Sequence, residues 1–209
     1  MMRVGFVLVI VFLLIPTLSF AATDVYYSVG TNASDLKNGS TTITISSGVA
    51  TFNVSQLDKI GVGDKITYVG NVSYISGRIN SSAYNVVTAK GAVPLDVSDM
   101  IVYNITRAFN SLDDAVDASD GDGVCANDSN HLNTSNLTEG NYTLNIACYG
   151  DGADTGTVTV DGWTTGVDNY IKIYTLVNSN KVGVSQMHSG VWGTGKYRLE
   201  AWITNRGIL

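Results

Sequence analysis

One short segment with helical periodicity stands in a chain that otherwise consists of short alternating strands and turns. This pattern predicts an all-β fold with one covering helix. The segment is residues 107–118 (RAFNSLDDAVDA). Leu112, Ala115 and Val116 recur at helical spacing and form one apolar face, and Ser111 is placed to cap the helix. Such a helix needs an apolar surface beneath it, so we expect it to cover the open end of a β structure; an ordinary surface helix between two β modules is the alternative.

Short strands joined by glycine-containing turns precede this helix. Residues 42–45 and 50–54 alternate polar and apolar side chains on either side of a Ser-Ser-Gly turn, which is typical of a hairpin. Residues 65–69 and 72–75 flank a Gly-Asn turn in the same way, and residues 84–88 form a further strand. Five or six strands of this kind indicate a small sandwich or a partly open barrel.

The strands predicted after the helix are spaced more widely. They cover residues 141–147, 156–160, 170–175 and 197–203. Such spacing is more typical of the rungs of a solenoid than of the tight meander of a barrel.

The first 22 residues have the pattern of a secretory signal peptide. Arg3 supplies the positive charge, residues 5–18 the apolar run, and residues 19–21 a small-x-small cleavage site. A retained amino-terminal anchor is the alternative. We therefore expect the protein to be secreted or displayed at the cell surface, with no membrane contact after cleavage.

The charge of the chain disfavours nucleic acids and anionic membranes as partners. It carries 12 Lys and Arg against 18 Asp and Glu, a net charge of −6. Residues 108–171 hold eleven acids and no Lys or Arg, whereas residues 172–209 hold five basic residues and one acid. An acidic block is usually a solvated face, but secreted acidic loops also bind calcium.

Four aspartates after the helix are the candidate calcium ligands. Alternating carboxylates and glycines allow a loop to wrap a hard cation with its oxygen atoms. The candidates are Asp117, Asp120, Asp122 and Asp128. The match to a calcium loop is incomplete, and an Asp and Gly turn is the alternative.

Both cysteines, Cys125 and Cys148, fall in the exported part of the chain. Thiols normally oxidise outside the cell, so we expect a disulfide between them, which would stabilise the fold by about 3 kcal/mol in the chain-entropy picture. Two buried thiols are the alternative.

Tryptophans and glycosylation sequons are candidate carbohydrate features. Three tryptophans, together with Tyr170, Tyr174 and Tyr197, could stack on sugar rings from a strand face, although such residues more often pack in a core. The tryptophans are Trp163, Trp192 and Trp202. Ten Asn-x-Ser/Thr triplets could carry N-linked glycans in a suitable host, or could reflect the enrichment of these residues in β turns. Their asparagines are Asn32, Asn38, Asn53, Asn71, Asn80, Asn104, Asn127, Asn133, Asn136 and Asn141.

No catalytic residue is predicted. His131 and His188 have no spacing typical of a shared metal site, and no Gly-x-Ser-x-Gly elbow accompanies them.

Several segments together carry a family resemblance. They are residues 26–31 (YYSVGT), 60–66 (IGVGDKI), 73–79 (SYISGRI), 107–112 (RAFNSL), 131–137 (HLNTSNL), 161–165 (DGWTT) and 169–174 (NYIKIY). They resemble the amino-terminal region of secreted right-handed parallel β-helix proteins of the pectate-lyase-like group. The resemblance implies that the helix caps the amino-terminal end of a solenoid. In that group the acidic calcium ligands and the catalytic basic residue lie on middle rungs, which residues 1–209 do not include, so no catalytic residue is carried over.

The expected architecture is therefore all-β and has three parts. A signal peptide (1–22) precedes a small β-rich module (23–105), and residues 106–209 form a capping helix and the first rungs of a right-handed parallel β-helix that is incomplete at its C-terminus. Solenoids need about three or more rungs and a closing cap, so the final strand would leave an open edge.

The leading functional hypothesis is a non-catalytic scaffold segment for adhesion, matrix or carbohydrate contact, with polysaccharide or surface glycans as partners. One alternative is the amino-terminal part of a polysaccharide lyase or hydrolase. The other is a filament subunit that self-associates by completing a neighbour's sheet, through residues 26–29 or through the C-terminal edge.

Overall fold

The computed structural model describes residues 21–119, 121–191 and 193–200. Its strands are β1 (Thr23–Val29), β2 (Thr42–Ser46), β3 (Val49–Phe52), β4 (Lys65–Tyr68), β5 (Asn71–Arg78), β6 (Ala83–Val87), β7 (Val97–Thr106), β8 (Tyr142–Cys148), β9 (Ala153–Asp154), β10 (Ile171–Thr175) and β11 (Arg198–Leu199). Its helices are α1 (Leu112–Val116) and α2 (Leu137–Gly140), with a 3₁₀ turn at Gly123–Cys125. Neither α-helix of these described ranges is long and apolar enough to cross a membrane. The predicted signal peptide, apart from residues 21 and 22, lies outside them.

Six strands close into an antiparallel barrel in the order β2-β3-β6-β5-β4-β7. The predicted β2-β3 hairpin is confirmed, with Ser46 opposite Val49. Its two loop residues, Ser47 and Gly48, both have positive φ angles, 50° and 77°, and this geometry matches the twist of the two strands. The predicted β4-β5 hairpin and the strand β6 are also confirmed. Apolar side chains at alternate positions, such as Ile43, point inward and fill the barrel.

A three-stranded parallel sheet lies beside the barrel, in the order β1-β8-β10. The central strand β8 is buried from Thr143 to Cys148. On one face of the sheet, Val25 and Tyr27 of β1 lie opposite Leu144 and Ile146 of β8. These four side chains are fully buried and form the centre of a second core.

Helix α1 packs on this second core, as its apolar face predicted. Leu112, Ala115 and Val116 are buried there, and Ser111 Oγ accepts a hydrogen bond from Asp114 N at 3.1 Å. The predicted N-cap is therefore confirmed, but the helix is shorter than the predicted 107–118. The preceding residues are extended because Phe109 donates its N–H to Ser28 O and accepts a hydrogen bond from Gly30 N.

The predicted right-handed parallel β-helix with a capping helix is wrong, and so is the resemblance to the pectate-lyase-like group. The described residues form a closed antiparallel barrel. Their parallel pairs are one three-stranded sheet, the two-residue ladder of β9 and β11, and three isolated bridges: Val29 with Phe109, Asp117 with Asp161, and Asn136 with Thr164. The tight two-residue loops at Ser47-Gly48 and Val69-Gly70 make the barrel strands antiparallel. After α1, the central strand β8 pairs with β10 and with β1, which precedes the barrel strands, and the other parallel pairs are too short to form stacked rungs. The expected solenoid is wrong because the local pattern does not fix which distant strands pair.

Candidate functional site

The parallel sheet has a second face, on which most side chains are polar or aromatic. The strand register places Tyr26 of β1, Asn145 of β8 and Lys172 of β10 in one row, and Ala147 and Tyr174 in the next row. Residues in register point to the same side of a sheet, so Tyr26 and Tyr174 flank the central strand on one surface. We call this surface, with the lysine that reaches it from a neighbouring turn, the outer face: Asp24, Tyr26, Asn145, Lys172, Tyr174 and Lys181.

Asn145 is the buried centre of the outer face. Its amide Nδ2 donates to Asp24 Oδ1 at 2.8 Å and to Thr143 O at 3.3 Å. Burial, followed by the nearby Asp24 carboxylate, raises the pKa of Tyr26 to about 12. Asp24 is thus held in place by Asn145 while its side chain stays at the surface.

Two ammonium groups lie over the ring of Tyr174. Lys172 Nζ is 5.2 Å and Lys181 Nζ is 4.8 Å from the ring centroid, both within the range of a cation–π contact. Burial of the half-buried Tyr174, with Tyr26 and Asp24 nearby, raises the pKa of its hydroxyl well above 10.0. The ring stays a neutral phenol across the physiological pH range.

The barrel closes one end of the outer face. Ala147 of the central strand packs with Val62, Leu176 and Val182, and Tyr26 and Tyr174 pack against this group. The turn that carries Lys181 is fixed to the barrel because Val62 N donates to Lys181 O at 2.9 Å. The outer face is therefore supported by rigid strands and a fixed turn.

Behind this end, a buried ionic network joins the barrel to the sheet. Arg107 Nη1 donates to Asp64 Oδ1 and Oδ2 at 2.7 and 2.9 Å, and Arg107 Nε donates to Asp151 Oδ2 at 2.6 Å. The guanidinium carbon lies 3.5 Å from the ring centroid of Tyr149. Burial raises the pKa of Asp64 against the opposing effect of Arg107, so the pair is costly to desolvate. Arg107 and Asp64 are inaccessible to ligands, and their role is structural.

Two grooves lie along the β2–β7 ladder of the barrel. One, of about 410 Å³, is lined by Lys37, residues 39–42, Ile101 and Val102, and the other, of about 320 Å³, by residues 44–46 and 96–98. Tyr103, whose carbonyl accepts a hydrogen bond from Lys37 Nζ, is an exposed aromatic near the larger groove. These grooves are a second surface that a ligand could contact.

The three predicted calcium ligands that the structure describes, Asp117, Asp122 and Asp128, are not grouped as a metal site. Asp117 Oδ1 accepts hydrogen bonds from the N–H and hydroxyl of Ser119, and Asp128 Oδ1 accepts one from Asn130 N. Asp122 precedes the 3₁₀ turn, and Asp120 lies outside the described residues. Within the described ranges, no group of three or more His, Cys, Asp or Glu side chains is arranged to hold a metal ion. Calcium binding stays a prediction.

Of the predicted stacking tryptophans, the structure describes Trp163. Its Nε1 donates to Val116 O at 2.6 Å, at the end of α1, and its ring packs against the second core. These contacts favour the packing alternative for Trp163; carbohydrate stacking stays a prediction. Trp192 and Trp202 lie outside the described residues.

Cys125 and Cys148 are present as separate thiols in the structure. Cys125 Sγ donates to Thr134 O at 3.5 Å, and burial raises the pKa of Cys148 to about 12. The disulfide stays a prediction for the exported protein.

The asparagines of the sequons make local hydrogen bonds. For example, Asn80 Oδ1 accepts from Ser82 N, and Asn136 Oδ1 accepts from Glu139 N and caps α2. Asn141 ends α2 in a left-handed conformation with φ 51°. These contacts favour the turn and cap explanation for the enrichment of Asn, Ser and Thr; glycan occupancy stays a prediction.

His131 and His188 have separate local contacts. His131 Nδ1 lies 2.8 Å from Asp128 Oδ1, and His188 Nδ1 accepts a hydrogen bond from Gly190 N. These contacts hold each imidazole within its own loop.

Sequence reasoning named Tyr174 as an aromatic of a strand face but missed the rest of the outer face. The available signal was the alternation of side chains along a strand. It places Asp24 and Tyr26 on the same side of β1, and Lys172 and Tyr174 on the same side of β10. Only the pairing with β8 joins these two pairs.

Comparison with protein-family models, curated proteins and solved structures finds no match.

Proposed function

We propose that this is a secreted or cell-surface carbohydrate-contacting protein that binds polysaccharide through the outer face. The observation that carries the proposal is the placement of Tyr26 and Tyr174 on either side of the hydrogen-bonded Asn145, on one face of a sheet. Aromatic rings offer an apolar face to the C–H groups of a sugar, and the surrounding polar groups can pair with its hydroxyls.

The spacing of the two tyrosines favours an extended ligand. They lie on strands separated by one strand and are offset by two residues, which puts their Cα atoms about 12 Å apart in an ordinary sheet. This is wider than one sugar ring, so we expect an oligosaccharide or polysaccharide to contact both.

Rigid strands hold Tyr26 and Tyr174 in place, and this rigidity favours carbohydrate binding. The side chains are fixed before the ligand arrives, because β8 is buried and the turn of Lys181 is bonded to the barrel. A preorganised site loses little conformational entropy on binding.

The number of carboxylates on the outer face favours carbohydrate binding over carbohydrate hydrolysis. Among the described side chains of the outer face, Asp24 is the one carboxylate, whereas most glycosidases use a pair of carboxyl groups. The secretory pattern of residues 1–22 supports the proposed location.

The filament alternative is weakened at one of its two proposed edges. Tyr26 to Val29 pair with β8 on one side, and on the other side Ser28 N donates to Gly63 O and Ser28 O accepts from Phe109 N. Both edges of this segment are occupied within the chain. The other proposed edge, the final strand, lies mostly outside the described residues.

The test is affinity electrophoresis of the exported protein against a panel of neutral and acidic polysaccharides. The variant Tyr26→Leu/Tyr174→Leu keeps apolar bulk against the barrel but removes both rings, so we expect loss of binding with an unchanged circular dichroism spectrum.

The comparison variant is Tyr103→Leu, which removes an exposed aromatic ring beside the larger barrel groove. We expect its binding to equal that of the wild type. Binding that survives the outer-face variant and disappears in Tyr103→Leu would refute the proposal and assign binding to the barrel.

A further inference from the structure

The outer face also carries a feature that predicts the chemical class of the ligand. Lys172 belongs to β10, whereas Lys181 belongs to the turn that is bonded to the barrel, and both bring their ammonium groups to the ring of Tyr174. Two positive charges therefore converge on one aromatic ring from independent parts of the fold.

Among the described side chains, neither ammonium group forms an ion pair. In residues 21–119, 121–191 and 193–200, no carboxylate lies within 4.0 Å of Lys172 Nζ or Lys181 Nζ. This is notable in a chain with 18 acids and 12 basic residues, where carboxylates are abundant. The carboxylate of the same face, Asp24, is held by Asn145.

We propose that the outer face selects acidic polysaccharides, whose sugars carry carboxylate or sulfate groups. This inference rests on the proposed carbohydrate binding. The anionic substituent of a bound sugar lies beside Tyr174 and pairs with both ammonium groups. A charged hydrogen bond of this kind is stronger than a neutral one.

General electrostatic attraction does not explain such a preference. The net charge of −6 repels polyanions from the protein as a whole. Binding of an acidic polymer by this chain therefore requires a local positive site.

The experiment compares three polymers with the same backbone: dextran, carboxymethyl-dextran and dextran sulfate. The neutral polymer measures stacking, and the other two distinguish carboxylate from sulfate as the preferred anion. We expect the wild type to bind at least one of the two acidic polymers more tightly than dextran, and raised salt to weaken that binding because the charge pairs are partly exposed.

The variant Lys172→Gln/Lys181→Gln removes both charges and keeps both tyrosines. We expect its affinity for the acidic polymers to fall by about 2- to 25-fold, since each of the two partly exposed pairs contributes a factor of about 1.4 to 5. Its affinity for dextran should not change. The control Lys37→Gln/Lys65→Gln removes the same charge from the barrel and should bind like the wild type.

The outcomes separate this inference from the proposed function. Equal binding of all three polymers by the wild type, or full binding of the acidic ones by Lys172→Gln/Lys181→Gln, overturns the selectivity. If Tyr26→Leu/Tyr174→Leu still abolishes binding in that case, carbohydrate contact at the outer face stands. If the tyrosine variant binds every polymer normally, both proposals fail.

Discussion

Replacing Arg107 with methionine tests whether the buried ionic network holds the barrel and the sheet together. The guanidinium donates to Asp64 in the barrel and to Asp151 just after β8, and the side chains of Arg107 and Asp64 are fully buried. Removing one partner of a buried ion pair leaves an uncompensated charge, which typically costs about 3–5 kcal/mol. We expect Arg107→Met to lower the free energy of unfolding by that amount.

The double variant Arg107→Met/Asp64→Asn separates buried charge from lost packing. The amide that replaces the Asp64 carboxylate can still accept the hydrogen bond that Gly61 N donates to Asp64 Oδ2 at 3.0 Å, but it carries no charge. We therefore expect the double variant to be more stable than Arg107→Met alone, by about 1–3 kcal/mol. Asp151 keeps slight contact with solvent, since its side chain is 8% exposed.

Urea unfolding followed by circular dichroism measures both effects. The control is Arg78→Met, because its partner Asp58 is 69% exposed and such a pair contributes at most about 1 kcal/mol. A loss below about 1 kcal/mol in Arg107→Met would refute this reasoning. A double variant less stable than the single one would show that the charge of Asp64 is not what destabilises it.

Three further predictions concern single side chains. We expect Trp163→Phe to lower the free energy of unfolding by about 1 kcal/mol, because Val116 O loses the hydrogen bond that Trp163 Nε1 donates. A variant that melts at the same temperature as the wild type would contradict this. Burial acts to raise the pKa of Asp35, but hydrogen bonds to its carboxylate outweigh this effect and lower the pKa below its ordinary value. The strongest of them comes from the Lys37 side chain. Ionised Asp35 therefore stabilises the protein above about pH 4, and this contribution is lost as the pH falls through the lowered pKa. The difference in free energy of unfolding between the wild type and Asp35→Asn, measured by urea unfolding, should shrink on acidification. Because burial raises the pKa of Cys148 to about 12, we expect a thiol reagent to label it in denaturant but not in the native protein; exported protein that stays unlabelled in denaturant without reductant would contain the predicted disulfide.

Much of the local structure was predictable. The β2-β3 and β4-β5 hairpins follow from glycine turns between alternating strands, and the cap and buried face of α1 follow from residues within one or two turns of helix. The direction of pairing between distant strands was not predictable in this way, and the expected solenoid was wrong for that reason.

The candidate site was predictable only in fragments. Tyr174 was recognised as an aromatic of a strand face, but Tyr26 stands far from it in sequence. Asn145, which lies in register with Tyr26 and Lys172, is preceded and followed by apolar residues and gives no motif. The site exists because β8 inserts between two strands that carry its aromatic side chains.

Near neighbours along the chain set the turn geometry, the helix cap, the alternation of side chains in the strands and the uneven distribution of charge. Tertiary structure alone decided the closure of the barrel and the parallel pairing of β1 with β8. It also decided the role of Arg107, which the sequence placed at the start of a helix and the fold buries between two carboxylates. The two groups of features differ in how far apart along the sequence the interacting residues lie. Turns and caps are set by contacts a few residues apart, whereas strand pairing and burial of charge depend on which distant segments together bury the most apolar surface.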